Sequence, residues 1–346
     1  MPKAPRKKRL GSRLLVFTPT RVLIELYMRL LALWVTLPGP GWAYWWARRA
    51  AALGWVLLPR LRKVALRNLD LCFPEKPEAE RTRIARASFR HFCYTFVDYL
   101  LAPRHCAPGR WQKHYTPAAD DDPFVLFCHE GKPSFVLSAH FGNWEIGTIS
   151  VGRLTGVKPL LVIAKPIQPP LLNRWIVNAR RALRNEVFEH TGGARAYARA
   201  IKESRLIAVL VDQNGGDFAP VETFFGVPCT WQADFTRMAL RGNVRISHTF
   251  AVRVGERFQF APLPSRILAY PPGADPMQLV RDYRDSLERV IREHPEQYFW
   301  MHRRFKARKE GWPDRYSALG RRLTPELRAE MIGGAPSPAS PRAQST

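Results

Sequence analysis

The chain has 346 residues, of which 46% are hydrophobic and 12% aromatic, enough to build a substantial core and to exclude a disordered polypeptide. The 54 Lys and Arg against 29 Asp and Glu leave a formal net charge of +25, which suits acidic partners: nucleic acid, anionic lipid or an acidic carrier protein. The five cysteines, Cys72, Cys93, Cys106, Cys128 and Cys229, have no C-x-x-C spacing and are odd in number, which argues against a zinc cage or disulfide framework and for a reducing compartment.

Residues 1–67 form a first, one-signed region in which Glu25 is the only acid. Its apolar runs, LLVFTPTRVLIELYMRLLALWVTL and GWAYWWARRAAALGWVLL, are interrupted by Arg21, Glu25 and Arg29 and by Pro38-Gly39-Pro40-Gly41, so neither makes a clean span of about 20 apolar residues. Trp34, Trp42, Tyr44, Trp45, Trp46 and Trp55 among arginines predict helices lying in the lipid headgroup layer. The same pattern also fits an amphipathic helical pair packed on the core. No small-x-small cleavage site follows a short uncharged run, which disfavours a signal peptide.

From Glu75 to Leu101 the spacing of Ile84, Phe89, Phe92, Phe96, Val97 and Leu100 predicts one long amphipathic helix. Strand-length apolar runs follow at Phe124–Cys128, Ser134–Ala139, Pro159–Ile163, Leu206–Val211, Ile246–Val252 and Phe258–Leu263. Helical stretches lie between or after them at Glu145–Leu154, Leu171–Leu183, Ala194–Glu203, Ala233–Arg241 and Pro276–Glu293. This alternation predicts a single α/β domain over 68–332 with a largely parallel sheet flanked by helices. The small, polar residues 333–346 predict a disordered tail.

SAHFGNWEIG, at 138–147, is the candidate centre. On one continuous helix His140 and Glu145 would point about 140° apart, so a pair requires a change of backbone direction. VLSAH reads as a strand entering a turn relieved by Gly142 and capped by Asn143, with WEIG opening a helix. His140 then sits at the carboxyl end of a strand, where open α/β sheets hold ligands, and Glu145 can fold back to its imidazole. A carboxylate on one ring nitrogen fixes the tautomer and steadies the imidazolium, which is the base half of a triad. No G-x-S-x-G elbow is present, so the nucleophile would be a substrate hydroxyl. From spacing alone, a satisfied core histidine beside a helix-start acid is the slightly favoured reading.

The block also resembles the HX4D/E motif of the glycerolipid acyltransferases, in the HFGNWE form of the lipid A biosynthesis lauroyl/myristoyl acyltransferase family. RNLDLCFPE (67–75), LVDQ (210–213), VETFFGVPCT (221–230) and PEQYFWMHRRFKARKEG (295–311) are similar to further blocks of that family, in order. The resemblance implies an α/β O-acyltransferase on the cytoplasmic face of a Gram-negative inner membrane, moving a fatty acyl chain from acyl carrier protein to a hydroxyl of a lipid A precursor. It makes His140 the general base and Glu145 its orienting acid, with no metal, no cofactor beyond the acyl thioester, no nucleic acid and a monomer as the expected state.

Several other residues are expected at the substrates. Asp212 and Gln213, at a strand end, could hold acceptor hydroxyls or simply close a turn. Phe225 and Gly226 could wall an acyl groove or sit in the core. Arg303 and Arg304, with Lys306 and Arg308, could meet phosphates or form a solvated face. Lys165 stands where the family commonly has an arginine before proline, and Arg180 matches the arginine of its R-x-x-x-G signature while Arg184 replaces the glycine. Acyl-CoA as donor to another glycolipid is the alternative substrate pair. A basic nucleic-acid-binding protein and a non-catalytic lipid-binding subunit are the alternatives of another class.

Overall fold

The computed structural model describes residues 18–164, 166–167, 170–189, 194–271, 273–307, 309–317, 319–321 and 323–333. The start of the basic N-terminal region, Lys165, Arg308 and residues 334–346 of the expected tail lie outside them. Two helices open the described chain, α1 (Thr18–Thr36) and α2 (Pro40–Leu57), joined across Leu37-Pro38-Gly39 with Pro40 at the first helical position. Ala43, Tyr44, Ala47 and Ala51 form the buried stripe of α2. Leu23, Leu30 and Leu37 of the first helix and its connection stay exposed, at 65%, 56% and 81%.

Position 67 falls inside α3 (Pro59–Cys72), so the compositional change does not coincide with a break in structure. Arg67 and Asn68 are buried and tied to the far end of the chain. Arg67 donates to the Arg315 carbonyl at 2.7 Å, and Asn68 donates to the carbonyls of Trp300 and His302, each at 2.7 Å. The long predicted helix is α4 (Glu78–His105), with Glu78 and Glu80 in its first turn and Arg104 and His105 in its last, the order the helix dipole favours.

The run predicted as a strand at Phe124–Cys128 is instead α5 (Pro123–His129). Asp122 caps it by accepting the Phe124 N–H at 2.8 Å, and Pro123 takes the first helical position. Phe124, Val125, Phe127 and Cys128 are buried while Leu126 is exposed, a helical stripe that a five-residue apolar run does not distinguish from a strand.

Then come β1 (Ser134–Ser138), a 3₁₀ turn at Ile146–Thr148 continued by the short α6 (Ile149–Gly152), β2 (Leu161–Ala164), α7 (Pro170–Ala182), β3 (Glu186–Glu189), α8 (Ala194–Lys202) and β4 (Leu206–Leu210). A hairpin of β5 (Val221–Phe224) and β6 (Val227–Thr230) leads to α9 (Asp234–Arg241) and β7 (Arg245–His248). The predicted strand at 246–252 divides at Thr249-Phe250: its second half is β8 (Ala251–Arg253), which leaves the sheet to pair with β9 (Phe260–Pro262). The chain continues through β10 (Arg266–Leu268), α10 (Pro276–Glu293) and α11 (Pro325–Gly333).

The main sheet has the order β10-β7-β1-β4-β2-β3, parallel throughout except for β10 at one edge. Both faces of β1 are covered. Phe135, Leu137 and Ala139 join a core with Ile207, Val209 and residues of α3, α4, α9 and α10, whereas Val136 packs with Phe124, Phe127 and Leu160. A largely parallel α/β sheet is what the strand and helix alternation predicts.

Arg184, just past α7, adopts φ 61°, and its neighbour Asn185 returns an N–H to the Arg180 carbonyl at 3.0 Å, the closure of a helix whose next residue is left-handed. The glycine of the R-x-x-x-G pattern has its physical reason here, and this chain places an arginine in that conformation. Arg184→Gly is therefore expected to stabilise the protein by about 1 kcal/mol. A lower denaturation midpoint for the variant would refute the reading.

Candidate active site

Ser138 of β1 stands opposite Leu210 of β4. Two residues further along each strand direction come His140 and Asp212, on the same side by the period of two. His140 Nδ1 lies 2.9 Å from Asp212 Oδ1. A carboxylate only accepts, so Nδ1 carries the proton and Nε2 holds the lone pair. The amide of Gln213 sits 3.4 Å from Nε2. Trp144 and Phe299 line the imidazole, with ring centroids 4.9 Å and 6.2 Å away, and the His140 side chain is 21% exposed.

Electrostatics follow from this pairing. Burial disfavours the imidazolium, but the charge and hydrogen bond of Asp212, with a smaller contribution from Glu145, outweigh it and hold the His140 pKa above its ordinary 6.5. Burial likewise opposes ionisation of Asp212, yet the His140 ring, the His140 backbone N–H and the Arg304 charge keep its carboxyl below the usual range.

The hydrogen bond expected from Glu145 to His140 is thus made by Asp212. Glu145 is buried and forms a two-pronged pair with Arg180, Nε to Oε2 at 2.9 Å and Nη2 to Oε1 at 2.6 Å, and Tyr99 Oη lies 3.4 Å from Oε1. The turn between explains the divergence. Asn143 Oδ1 accepts the N–H groups of Glu145 and Ile146, so Glu145 enters a 3₁₀ turn directed to α7. Gly142 has φ 57°, and a Cβ there would meet the Ala251 carbonyl oxygen at 1.9 Å. Only glycine fits.

The turn is clamped from two sides. Gln297 accepts the Gly142 N–H at 2.9 Å and His140 accepts the Phe299 N–H at 3.0 Å through their carbonyls, so the PEQYFW segment forms the wall behind His140. Asn143 Nδ2 donates to Asp98 Oδ2 at 2.5 Å; Asp98 also accepts from Tyr44 and forms a buried ion pair with Arg253. Burial raises the Asp98 pKa, although Arg253, Tyr44 and Asn143 all act to keep the carboxylate charged.

Beside Tyr99, the residues of α1, α2, α4 and α7 enclose an apolar cavity of about 410 Å³, lined by Ala32, Trp34, Trp46, Phe96, Leu172 and Trp175 among others. Arg180 lies on α7, two turns beyond Leu172 and just over one beyond Trp175. Among the described residues no group of three or more His, Cys, Asp and Glu converges to hold a metal ion.

The other expected contacts separate. Arg304 is 2% exposed, its guanidinium stacked over Trp231 at 4.3 Å and bonded to the Thr230 carbonyl at 2.7 Å, so it is enclosed and does not face substrate phosphates. Phe225 and Gly226 are the two left-handed residues of the β5–β6 turn, φ 52° and 72°, as a two-residue hairpin requires. Phe225 packs on Phe73 and Phe224 in the core. Arg303 covers Tyr316 and stays partly exposed. Sequence reasoning missed Trp144, Phe299 and Tyr99 at the site. Trp144 lay within the motif itself and Phe299 within the quoted block at 295–311, whereas Tyr99 comes from the long helix, more than 40 residues earlier, with no local signal.

A family profile described as bacterial lipid A biosynthesis acyltransferase matches residues 12–307. The chain belongs to this family. It is 26% identical over 291 residues to the lipid A biosynthesis palmitoleoyltransferase of Escherichia coli (strain K12), covering 81% of this chain and 90% of that protein. It is also 26% identical over 263 residues to the lipid A biosynthesis lauroyltransferase of the same organism, covering 75% and 83%. A lipid A biosynthesis acyltransferase of Haemophilus influenzae is 24% identical over 261 residues, covering 72% and 79%. This family member is accordingly an acyltransferase.

A histidine that takes a proton must start neutral, and the His140 imidazole is neutral only above its raised pKa. Activity should therefore climb with pH through an inflection above 6.5. Asp212→Asn removes the charge that raises this pKa, so the inflection should move to lower pH while the plateau rate falls by roughly 10²–10⁴-fold. An unshifted acid limb at full rate would show that Asp212 does not govern the base.

Proposed function

We propose that the protein transfers a fatty acyl chain from the thioester of acyl carrier protein to a hydroxyl of a lipid A precursor, with His140 as general base. The observation that carries this reading is the His140 Nδ1 to Asp212 Oδ1 bond, which leaves Nε2 as the lone-pair nitrogen of a partly exposed ring. The acceptor hydroxyl gives its proton to Nε2 as its oxygen attacks the thioester carbonyl. As the tetrahedral intermediate collapses the carbon–sulfur bond breaks, and the imidazolium returns the proton to the departing thiolate sulfur. Arg180, held flat by Glu145, is the basic side chain suited to the developing oxyanion.

Several features support the substrate assignment. The net charge of +25 complements an acidic carrier and a phosphorylated glycolipid. The apolar cavity that Tyr99 lines, with its Oη 3.4 Å from Glu145, suits the acyl tail. No helix among the described residues is long and apolar enough to cross a membrane. The exposed Leu23, Leu26, Leu30, Leu53, Val56 and Leu57, with Arg29 and Arg49 in the same two helices and Arg60 at the start of α3, suit instead a surface lying on the cytoplasmic face of the inner membrane.

His140→Ala should reduce transfer by at least about 10²-fold while leaving lipid binding intact. Mass spectrometry of membrane lipids is the readout. Cells lacking the gene should accumulate lipid A one acyl chain short, restored by the wild-type gene and not by the variant; unchanged lipid A in the deletion strain would remove this acceptor. Ala32→Phe, which intrudes on the cavity, should move donor preference toward shorter chains. An identical chain-length profile would exclude the cavity as the tail site.

A further inference from the structure

Asp212 meets His140 only while the turn after β4 keeps its shape, and β4 ends two residues earlier, at Leu210. Asn214 holds that turn from the other side. Its backbone N–H is directed at His302 Nε2, 3.3 Å away, and its side-chain amide donates to Thr230 Oγ1 at 3.1 Å and to the Arg304 carbonyl at 3.3 Å. Its Oδ1 accepts the Gly216 N–H at 3.0 Å. His302 is itself fixed, since its carbonyl accepts from Asn68 Nδ2 at 2.7 Å and from the Arg304 N–H at 2.8 Å. Tyr316 Oη in turn donates to Asn68 Oδ1 at 2.5 Å.

We propose that His302 is a positioning residue for the base: through Nε2 it accepts the Asn214 N–H and latches the 212–214 turn, so that the Asp212 carboxylate faces His140 Nδ1. The inference rests on the reading of His140 and Asp212 as the base pair and assigns a role to the histidine of the HRRF segment.

Chemistry at His302 agrees with an acceptor. Burial is the main force on it, and the neighbouring charges of Arg304, Lys306 and His140 add to that effect against the opposing charge of Asp212, pushing the imidazole pKa down to about 4. His140 moves the other way. Two imidazoles share one carboxylate's field but divide the labour, one cycling its proton and the other staying neutral at the pH where the first works. His302 cannot double as the base, because its Nε2 lone pair is already engaged by a backbone N–H.

The test compares His302→Ala, which removes the acceptor, with His302→Gln, whose side-chain oxygen can replace Nε2. The His140 titration is followed by NMR of the full-length protein without substrate, and acyl transfer is measured in parallel. In His302→Ala the His140 pKa should fall below its wild-type value and kcat should drop by about a hundredfold with KM changed by no more than about twofold, as for a misplaced group that does not bind substrate. His302→Gln should keep the wild-type titration and rate within about threefold, since an amide oxygen restores the same bond.

An unchanged His140 titration in the alanine variant would overturn the latch, as would a glutamine variant equally impaired. Should the alanine variant fail to fold, nitrogen shifts of wild-type His302 decide: an unprotonated Nε2 at neutral pH supports the latch and a protonated Nε2 refutes it. The two readings fail separately. Loss of the latch leaves acyl transfer standing, whereas a protein that transfers no acyl chain can still show His302 controlling the His140 titration.

Discussion

The turn that follows β1 depends on a buried ion pair. Asp98, on α4, and Arg253, on β8, are almost fully enclosed, with side chains 0% and 1% exposed. Removing two charges from water is unfavourable unless each finds full compensation, and here the neighbours supply it. Tyr44 and Asn143 donate to the carboxylate, while Arg253 bonds the Arg257 carbonyl and lies over the rings of Tyr44, Tyr94 and Phe260. Four segments therefore meet at one carboxylate: the N-terminal hairpin, the long helix, the β8–β9 ribbon and the turn after β1. Through Asn143 the ion pair fixes the start of the 3₁₀ turn and, with it, the direction of Glu145.

The two acids at the centre do different work because different backbone geometries deliver them. Asp212 arrives by strand register, a repeat of two residues on adjacent parallel strands. Glu145 arrives by a capped turn that carries it away from the imidazole and onto Arg180. The spacing of His140 and Glu145 is thus a record of two adjoining pairs rather than of one dyad. Glu145 still adds to the field that favours a protonated His140, but by charge alone.

Much of this was legible in the sequence where local rules decide. The strand ending in His140, the glycine at the turn, the capping asparagine and the amphipathic helices follow from periodicity and turn chemistry. Asp212 and Gln213 were recognisable as strand-end residues, yet which acid reaches His140 depends on β4 being the neighbour of β1, a fact of sheet order that no local pattern carries. Short elements were misread for the same reason. Phe124–Cys128 is apolar at every position, the exposed Leu126 included, so five residues show no period that separates helix from strand. Arg304 reads as a surface cation in a basic run, but Trp231 and Phe224, some 70 to 80 positions earlier, close over it.

The ties made by α3 bear on how the chain acquires its structure during synthesis. Arg67 and Asn68 bond to carbonyls 232 to 254 residues later. At roughly 5–20 residues per second, these partners leave the ribosome roughly 12–50 s after the helix that needs them. For that interval the guanidinium of Arg67 and the amide of Asn68 lack the carbonyls they meet in the finished fold. Polar groups and apolar surface of α3 left open in this way favour aggregation, and an early landing on a lipid surface or a chaperone would shelter that helix.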